Sequence, residues 1–180
     1  VSAKRVMNMK RGKVEQYGSL EEAKQGILQR KASENRRYLE KYGVDCSDMN
    51  NFDLIIDTSF CDIETIADTI IANEQKWRGG EDYPRVWVSS RFIFPTDRPK
   101  NEDATSQAGS IASVIEYEGN FYVYGDHGTV SRSILNGVDL IPVHVSAKNG
   151  ELLPVGISAE EYVRLNYSPE KTEEWENFHD

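Results

Sequence analysis

The chain has 180 residues, of which 38% are hydrophobic, and it carries a formal net charge of −9 with a mean hydropathy of −0.60. This length is enough for one medium domain or two small ones, and no stretch approaches the roughly 20 apolar residues of a membrane span. The chain has two cysteines and three histidines, and the cysteines do not form a CxxC motif. We therefore expect no metal site, and a cytoplasmic location suits two cysteines better than a disulfide framework does.

Charge is distributed unevenly along the chain. Residues 1–42 carry 11 basic and 5 acidic side chains, whereas residues 160–180 carry 2 basic and 7 acidic ones. A basic segment in an acidic protein attracts an anionic ligand, although the same charges also suit a solvated helix face. The isoelectric point near 4.9 argues against general nucleic-acid binding.

The first elements predicted in chain order are helices. Residues 3–11 suit a short helix. The sequence S-x-x-E that begins at Ser19 is a capping box, which predicts a second helix from there to about Tyr42. Gly43 follows as a plausible helix C-cap.

The chain then predicts a strand and a further helix. Residues 52–57 are mostly apolar and of strand length, which is typical of a strand buried on both faces of a parallel sheet. The isoleucines between residues 62 and 77 recur at helical spacing and predict a helix. Residues 78–84 have the composition of a linker.

The second half of the chain predicts short strands followed by helices. Strands are expected at 85–88, 91–94, 111–117, 121–125 and 140–145, with a three-residue turn at 118–120, a polar loop at 96–109 and a helix at 129–136. A second capping box at Ser158 and the proline at Pro169 predict two C-terminal helices. The predicted fold class is α+β: a helix–strand–helix part followed by a small mixed-sheet domain with C-terminal helices.

One candidate ligand site is the set Arg30, Glu34 and Arg37. These residues stand at i, i+4 and i+7 of the predicted helix and therefore project from one face. Arginine offers forked donors to phosphate oxygens, and a carboxylate accepts from an amino group or a hydroxyl. The alternative is an exposed helix face on which the same residues form ion pairs.

The segment ILQRKASENRRYLEKYGVDCSDMNNFDLIIDTS resembles the C-terminal part of cytidylate kinases and their relatives. The resemblance covers about residues 1–77 and implies that Arg30, Glu34 and Arg37 bind CMP, with Glu34 in place of the more usual Asp. It also implies that Arg5 and Arg11 belong to an arginine-bearing lid.

The chain departs from that family at the phosphate loop. A kinase of this class needs G-x-x-x-x-G-K-[ST] to hold the ATP phosphates, and around the one Gly-Lys pair, Gly12-Lys13, Met7 replaces the first glycine and Val14 replaces Ser/Thr. Either the chain is the C-terminal piece of a longer protein, or it is a remnant that has lost this chemistry. We expect no phosphoryl transfer by these residues alone.

A second candidate site is the glycine turn between residues 125 and 131. A strand–turn–helix of this kind directs free backbone N–H groups at an anion, with the turn glycines and hydroxyls Gly125, Gly128, Thr129 and Ser131 as candidate phosphate ligands. Asp126 and His127 are a candidate catalytic acid/base pair. The alternative is a purely structural turn in which the glycines meet backbone requirements and Asp126 or Thr129 caps the helix.

Residues 91–145 resemble the ParB/sulfiredoxin-like superfamily through the hairpin VIEYEGNFYVY, the turn, the short helix and the strand LIPVHV. The resemblance implies nucleotide or phosphate binding at this turn, although Thr129 stands where the family has an arginine. The predicted organisation is therefore a kinase-like segment at 1–77, a linker at 78–84, a ParB/sulfiredoxin-like domain at 85–157 and an acidic helical tail at 158–180.

The leading interpretation is a nucleotide- or phosphate-binding protein that derives from a cytidylate-kinase-like phosphotransferase and is not a kinase on its own. Its ligand is a small anion, with CMP, CTP or ATP together with Mg as the candidates. One alternative is a non-catalytic interaction or regulatory protein that binds a protein partner or itself. Another is a ParB-like nucleotide-dependent enzyme that uses the 125–131 turn. The three tryptophans are expected in core or interdomain packing rather than in base stacking.

Overall fold

A computed structural model describes residues 17–99 and 111–179. Within these residues there are five α-helices and one mixed six-stranded sheet, which confirms the predicted α+β class. The chain divides into two compact units, Val1–Asp53 and Leu54–Asp180, called here the N-terminal and the C-terminal unit. The predicted helix at 3–11 lies outside the described residues.

The main element of the N-terminal unit is helix α1, Leu20–Tyr42. Ser19 is its N-cap, and the Ser19 hydroxyl accepts a hydrogen bond from the Glu22 N–H at 3.1 Å. Gly43 ends the helix in the left-handed conformation with φ 68°, and its N–H donates to the Leu39 carbonyl. Both predicted ends of this helix are confirmed.

Two contacts fix the segments on either side of α1. The Tyr17 ring lies against Gly26, where an added Cβ would come within 2.6 Å of a ring carbon, so the mid-helix glycine makes room for this ring. The Asn35 side chain accepts from the Cys46 N–H at 2.6 Å and donates to the Ser47 hydroxyl at 3.2 Å. The chain therefore returns along the helix before a short 3-10 helix at Met49–Asn51.

The C-terminal unit begins with strand β1, Ile55–Ile56, which pairs in parallel with β2, Val86–Ser89. Because β1 stands at one end of the sheet order, it is an edge strand of two residues. The strand predicted within 52–57 and its parallel pairing are confirmed, but the strand is shorter than predicted and lies at the sheet edge instead of being buried on both faces. The apolar run alone does not reveal that only one side of β1 finds a partner strand within the described residues.

Helix α2 spans Ile63–Gly79 and confirms the helix predicted at 62–77. The Asp62 carboxylate caps it by accepting from the Thr65 N–H at 2.6 Å, and Gly80 ends it at φ 69°. One side of α2 carries the buried Asn73. Another side leaves apolar residues exposed, with relative exposures of 85% for Ile63 and 61% for Trp77.

The other strands are β3 (Ile93–Phe94), β4 (Ala112–Tyr117), β5 (Asn120–Gly125) and β6 (Leu140–Ala147). The sheet order is β1-β2-β6-β4-β5-β3. The β2–β6 and β4–β5 pairs are antiparallel, and the other pairs are parallel. All five strands predicted for this half of the chain are present, with boundaries shifted by one or two residues.

The β4–β5 hairpin has a tighter turn than predicted. Tyr117 pairs with Asn120, so the loop consists of Glu118 and Gly119, with φ 51° and 76°. Two consecutive left-handed residues match the right-handed twist of the flanking strands. Asn120 therefore belongs to the strand rather than to a three-residue turn.

Three helices complete the unit: α3 (His127–Leu135), α4 (Ala159–Asn166) and α5 (Pro169–His179). Helix α3 begins two residues earlier than predicted. The predicted capping box of α4 is confirmed, since the Ser158 hydroxyl accepts from the Glu161 N–H at 3.1 Å.

The core has two clusters, one on each face of the sheet. Val114 belongs to the cluster that includes Val130 of α3 and Trp175 of α5. Ile115 belongs to the cluster that includes Ala159 of α4. Neighbouring strand residues point to opposite faces, so helices cover both sides of the sheet. The expected packing role of tryptophan is confirmed for Trp175, which is 4% exposed, but it was wrong for Trp77.

The division into units does not coincide with the predicted segment boundaries. The predicted linker at 78–84 begins within the last turn of α2, whereas the boundary between the two compact units falls in the sequence between Asp53 and Leu54. Both β1 and α2 therefore lie in the same unit as the strands of the 85–157 segment. Across the described residues, no helix combines the length and hydropathy of a membrane span.

Candidate functional site

Arg30, Glu34 and Arg37 lie on α1 as predicted, and all three side chains are exposed. At about 100° per residue, they fall within an arc of roughly 60° around the helix axis. The three groups can therefore reach one ligand together. Neighbouring Arg36 is also exposed but lies about 100° away from Arg37 around the axis.

The ion-pair alternative for this face is not realised at two of the three residues. Within residues 17–99 and 111–179, Glu34 and Arg37 form no ion pair. The Arg37 guanidinium instead lies 5.5 Å from the centre of the Tyr38 ring, at cation–π distance. Arg37 is thus held against an aromatic face while its N–H donors remain exposed. The candidate lid residues Arg5 and Arg11 lie outside the described residues.

At the second candidate site, the residue that makes the turn is Asp126. It adopts the left-handed conformation with φ 61°, is exposed, and makes no side-chain cap to α3. Gly125 ends β5 without a positive φ. The left-handed residue of this turn is therefore an aspartate, one of the few residue types other than glycine that tolerate this conformation.

His127 is the first residue of α3 and faces inward. Its Nε2 lies 3.1 Å from the Thr96 hydroxyl, which donates its own proton to the Val123 carbonyl at 2.5 Å. Because a hydroxyl has one proton, the Thr96 oxygen accepts from the Nε2–H of His127. This bond joins the start of α3 to the segment after β3.

The remaining candidate groups of the turn are buried. Gly128 and Ser131 are buried within α3, and the Ser131 hydroxyl lies 2.7 Å from Nε2 of His179 on α5. The Thr129 hydroxyl oxygen is also buried and has no partner within the described part of the chain. The structure thus separates the turn into an exposed Asp126, a pair formed by His127 with Thr96, and a pair formed by Ser131 with His179.

Thr96, Trp175 and His179 were not anticipated as partners of the turn. They lie 31 to 48 residues from the α3 residues that they contact, so no local spacing links them. The only available signal is the i, i+4 spacing of Trp175 and His179, which places both on one face of a C-terminal helix.

Carboxyl groups with lowered pKa values lie at caps and turns. The Ser47 N–H lowers the pKa of Asp45, the Thr65 N–H lowers that of Asp62, and the backbone N–H of Glu170 lowers the pKa of its own carboxyl. Each shift has a backbone donor as its largest cause. These groups stabilise local structure, and none belongs to a candidate site.

Two cavities border the sheet of the C-terminal unit, with volumes of about 300 and 250 Å³. Neither is lined by Asp126 or His127. Beside the smaller one, the Asp57 carboxylate accepts from the Ser59 N–H at 3.0 Å and from the Ser89 N–H at 3.3 Å, which ties the end of β1 to β2. Among the described residues, no group of three or more His, Cys, Asp or Glu side chains is placed to hold a metal ion.

Comparison with known proteins finds partial matches, all to cytidylate kinases. The chain is 47% identical over 45 residues to a cytidylate kinase of Pyrobaculum arsenaticum, a match that covers 25% of this chain and 24% of the kinase. It is 45% identical over 40 residues to that of Methanocaldococcus jannaschii, covering 22% of each chain. Over 68 residues it is 31% identical to that of Thermoplasma volcanium, covering 37% of this chain and 36% of the kinase.

The chain thus contains a cytidylate-kinase-like region and spans about a quarter to a third of the length of these relatives. No protein-family model and no solved structure matches it. The comparisons give no support to the ParB/sulfiredoxin-like resemblance of residues 91–145, which stays a prediction, as does catalysis by Asp126 and His127.

Proposed function

We propose that the chain binds a nucleoside monophosphate, with CMP as the first candidate, on the exposed face of α1. The observation that carries the proposal is the placement of Arg30, Glu34 and Arg37 on one accessible arc of a helix with a defined start and end. The cytidylate-kinase-like region supports it, and we assign that region to about residues 1–77.

Each group has a distinct part in the proposed site. The guanidinium groups of Arg30 and Arg37 bracket the phosphate and donate paired N–H groups to its oxygens. The Glu34 carboxylate accepts from the amino group of the base or from a ribose hydroxyl. Because the three groups lie on a rigid helix rather than on a loop, little ordering is needed when the ligand binds.

Phosphoryl transfer is not part of this proposal. The 180 residues contain no G-x-x-x-x-G-K-[ST] sequence, so a backbone cradle and lysine for the ATP phosphates are not supplied by this segment. Binding of CTP or ATP with Mg at the 125–131 turn stays a separate prediction.

The test is calorimetric titration of the whole chain with CMP, compared with Arg30→Ala and Arg37→Ala. Each substitution should weaken binding about 10- to 100-fold, since a charge-assisted hydrogen bond contributes about 1.5–3 kcal/mol. Arg36→Ala is the matched control and should leave the dissociation constant within about twofold, because surface substitutions away from a site change energies little.

The proposal fails if CMP does not bind, or if Arg36→Ala weakens binding as much as Arg30→Ala does. Far-UV circular dichroism separates a lost ligand contact from a lost helix. Helicity should be unchanged in all three variants, because alanine has the highest helix propensity.

A second candidate function, self-association, is favoured by the apolar face of α2. Ile63, Ile70 and Trp77 follow one another at intervals of seven residues and have relative exposures of 85%, 46% and 61%. One acidic residue, Glu64, stands in the first turn of α2, and the basic residues Lys76 and Arg78 stand in the last. Antiparallel pairing of two copies about Ile70 would place Ile63 against Trp77 and Glu64 against Lys76 of the second copy.

Sedimentation equilibrium of the whole chain tests this pairing. Glu64→Lys or Lys76→Glu alone should weaken the dimer, and the two substitutions together should restore it, because the exchanged charges face each other again. A wild-type chain that remains monomeric at about 0.5 mM, well above the dissociation constant of a stable interface, contradicts the proposal.

A further inference from the structure

The larger cavity, of about 300 Å³, lies beside helix α5 in the C-terminal unit. Thr172, Trp175, Glu176 and His179 line it and stand at i, i+3, i+4 and i+7, so they share one face of α5. Most of the other lining side chains are apolar and include Phe60, Ile93 and Ile134. A concave, mainly apolar site with a few polar groups is typical of small-molecule binding.

Two polar residues of the cavity are already committed to protein partners. Ser90 donates from its hydroxyl to the Val138 carbonyl at 2.7 Å. His179 Nδ1 lies 2.5 Å from the Trp175 carbonyl and therefore carries a proton, and its Nε2 then accepts from the Ser131 hydroxyl at 2.7 Å. His179 therefore fixes this wall of the cavity, because it bonds to Ser131 of α3 and to the Trp175 carbonyl of its own helix, α5.

Two other lining residues carry buried donors that lack an acceptor. Within residues 17–99 and 111–179, neither Trp175 Nε1 nor Thr172 Oγ1 has a hydrogen-bond partner, and both atoms are buried. Trp175 as a whole is 4% exposed. A buried donor without an acceptor is unfavourable, so an acceptor that arrives with a ligand is stabilised at this point.

Arg91 supplies the positive charge of the cavity. Its side chain is 56% exposed, and its Nε lies 3.8 Å from Asp139 Oδ1, beyond hydrogen-bond distance. The guanidinium therefore keeps donors for a second anion. Glu176 also lines the cavity and is exposed.

We propose that this cavity binds a small aromatic monocarboxylate. The ring occupies the apolar part near Phe60, Ile93 and Ile134, and the carboxylate accepts from Arg91, Thr172 and Trp175. The site lies wholly in the C-terminal unit, so it is independent of nucleotide binding on α1 and goes beyond it.

The test uses phenylacetate as the probe, with the whole chain labelled with ¹⁵N. The indole N–H signal of Trp175 is assigned from its loss in Trp175→Phe. It should move downfield and saturate, with a dissociation constant on the order of 0.1–1 mM for a ligand of about ten non-hydrogen atoms. Arg91→Ala should weaken binding about tenfold, and the isosteric Thr172→Val about threefold.

Arg98→Ala is the matched control. The Nε of Arg98 lies 3.4 Å from Oε2 of Glu174 on α5, but Arg98 does not line the cavity. Its dissociation constant should not change. A Trp175 signal that does not respond to about 10 mM phenylacetate overturns the proposal. An equal response to neutral phenylacetamide, or a stronger one to phenethylamine, overturns the assignment of a carboxylate.

Discussion

Helices α1 and α5 stand near opposite ends of the chain and represent two ways of stabilising a helix. Of the 23 residues of α1, Ala23 is the buried one, and the helix relies on its caps at Ser19 and Gly43. Helix α5 has 11 residues, and its Trp175 is buried in the core of the sheet. The first helix is defined by local sequence and the second by tertiary packing.

This difference teaches where function is to be sought. An exposed helix with defined ends can present charged side chains to a ligand at little cost in stability, since surface substitutions change the free energy of unfolding by less than about 0.5 kcal/mol. A packed helix cannot vary in this way. The charged face of α1 is therefore the better place to look for ligand binding, although α5 contributes more to the stability of the fold.

The largest effect should come from Trp175→Ala. Removing this buried side chain should lower the free energy of unfolding of the C-terminal unit by about 3–5 kcal/mol. Urea unfolding followed by circular dichroism measures the loss. The matched control is Trp77→Ala at low protein concentration, since Trp77 is 61% exposed and should cost less than about 0.5 kcal/mol.

Equal losses in these two variants would show that α5 is a solvated end rather than part of the core. The acidic tail would then be free to dock on a partner, which the sequence alone leaves open.

A smaller effect is expected from Thr96→Val. The Thr96 hydroxyl donates to Val123 and accepts from His127, so its removal should cost about 1–3 kcal/mol. Thr129→Val is the isosteric control, because the Thr129 hydroxyl oxygen is buried without a partner in the described structure. Replacing it should be neutral or stabilising. If Thr96→Val and Thr129→Val unfold at the same temperature, the Thr96–His127 pair does not stabilise the turn.

The smallest effect concerns pH and the start of α2. The Thr65 N–H lowers the pKa of Asp62 below its ordinary value of 3.8, so the folded state favours the charged carboxylate. This contribution is present above the unfolded pKa and is lost as pH falls through the lower folded pKa. Asp62→Asn keeps a side-chain cap but removes the titration. The stability of the wild type should therefore fall more steeply below about pH 4 than that of the variant.

Urea titrations between about pH 2 and pH 6, a range that extends well below the unfolded Asp pKa of about 3.9, measure this difference. Parallel curves for the two proteins would contradict the assignment of Asp62 as the charged N-cap.

Most of the correct predictions rest on residues that are close together in the sequence. Ser19, Gly43 and Ser158 mark helix ends through the chemistry of their own side chains or backbone, and the structure places the caps there. The strands of the second half were predictable because their apolar residues and turn residues are contiguous in sequence.

Contacts distant in sequence explain the failures. The run at 52–57 is apolar, yet its place at the sheet edge depends on which strands arrive later in the chain. The sequence does not distinguish Trp77 from Trp175, and only the packing of the folded chain leaves Trp77 exposed and Trp175 buried. The Ser131–His179 pair joins residues 48 apart, so no local sequence pattern reveals it.

The most direct test of nucleotide binding on α1 is a titration of the ¹⁵N-labelled whole chain with CMP, read residue by residue. We predict saturable shifts centred on residues 30–37, abolished in the Arg30→Ala, Arg37→Ala double variant and retained in Arg36→Ala. Shifts confined to residues 125–131, or no shift at about 5 mM CMP, a concentration that detects millimolar binding, would contradict the proposed role of α1.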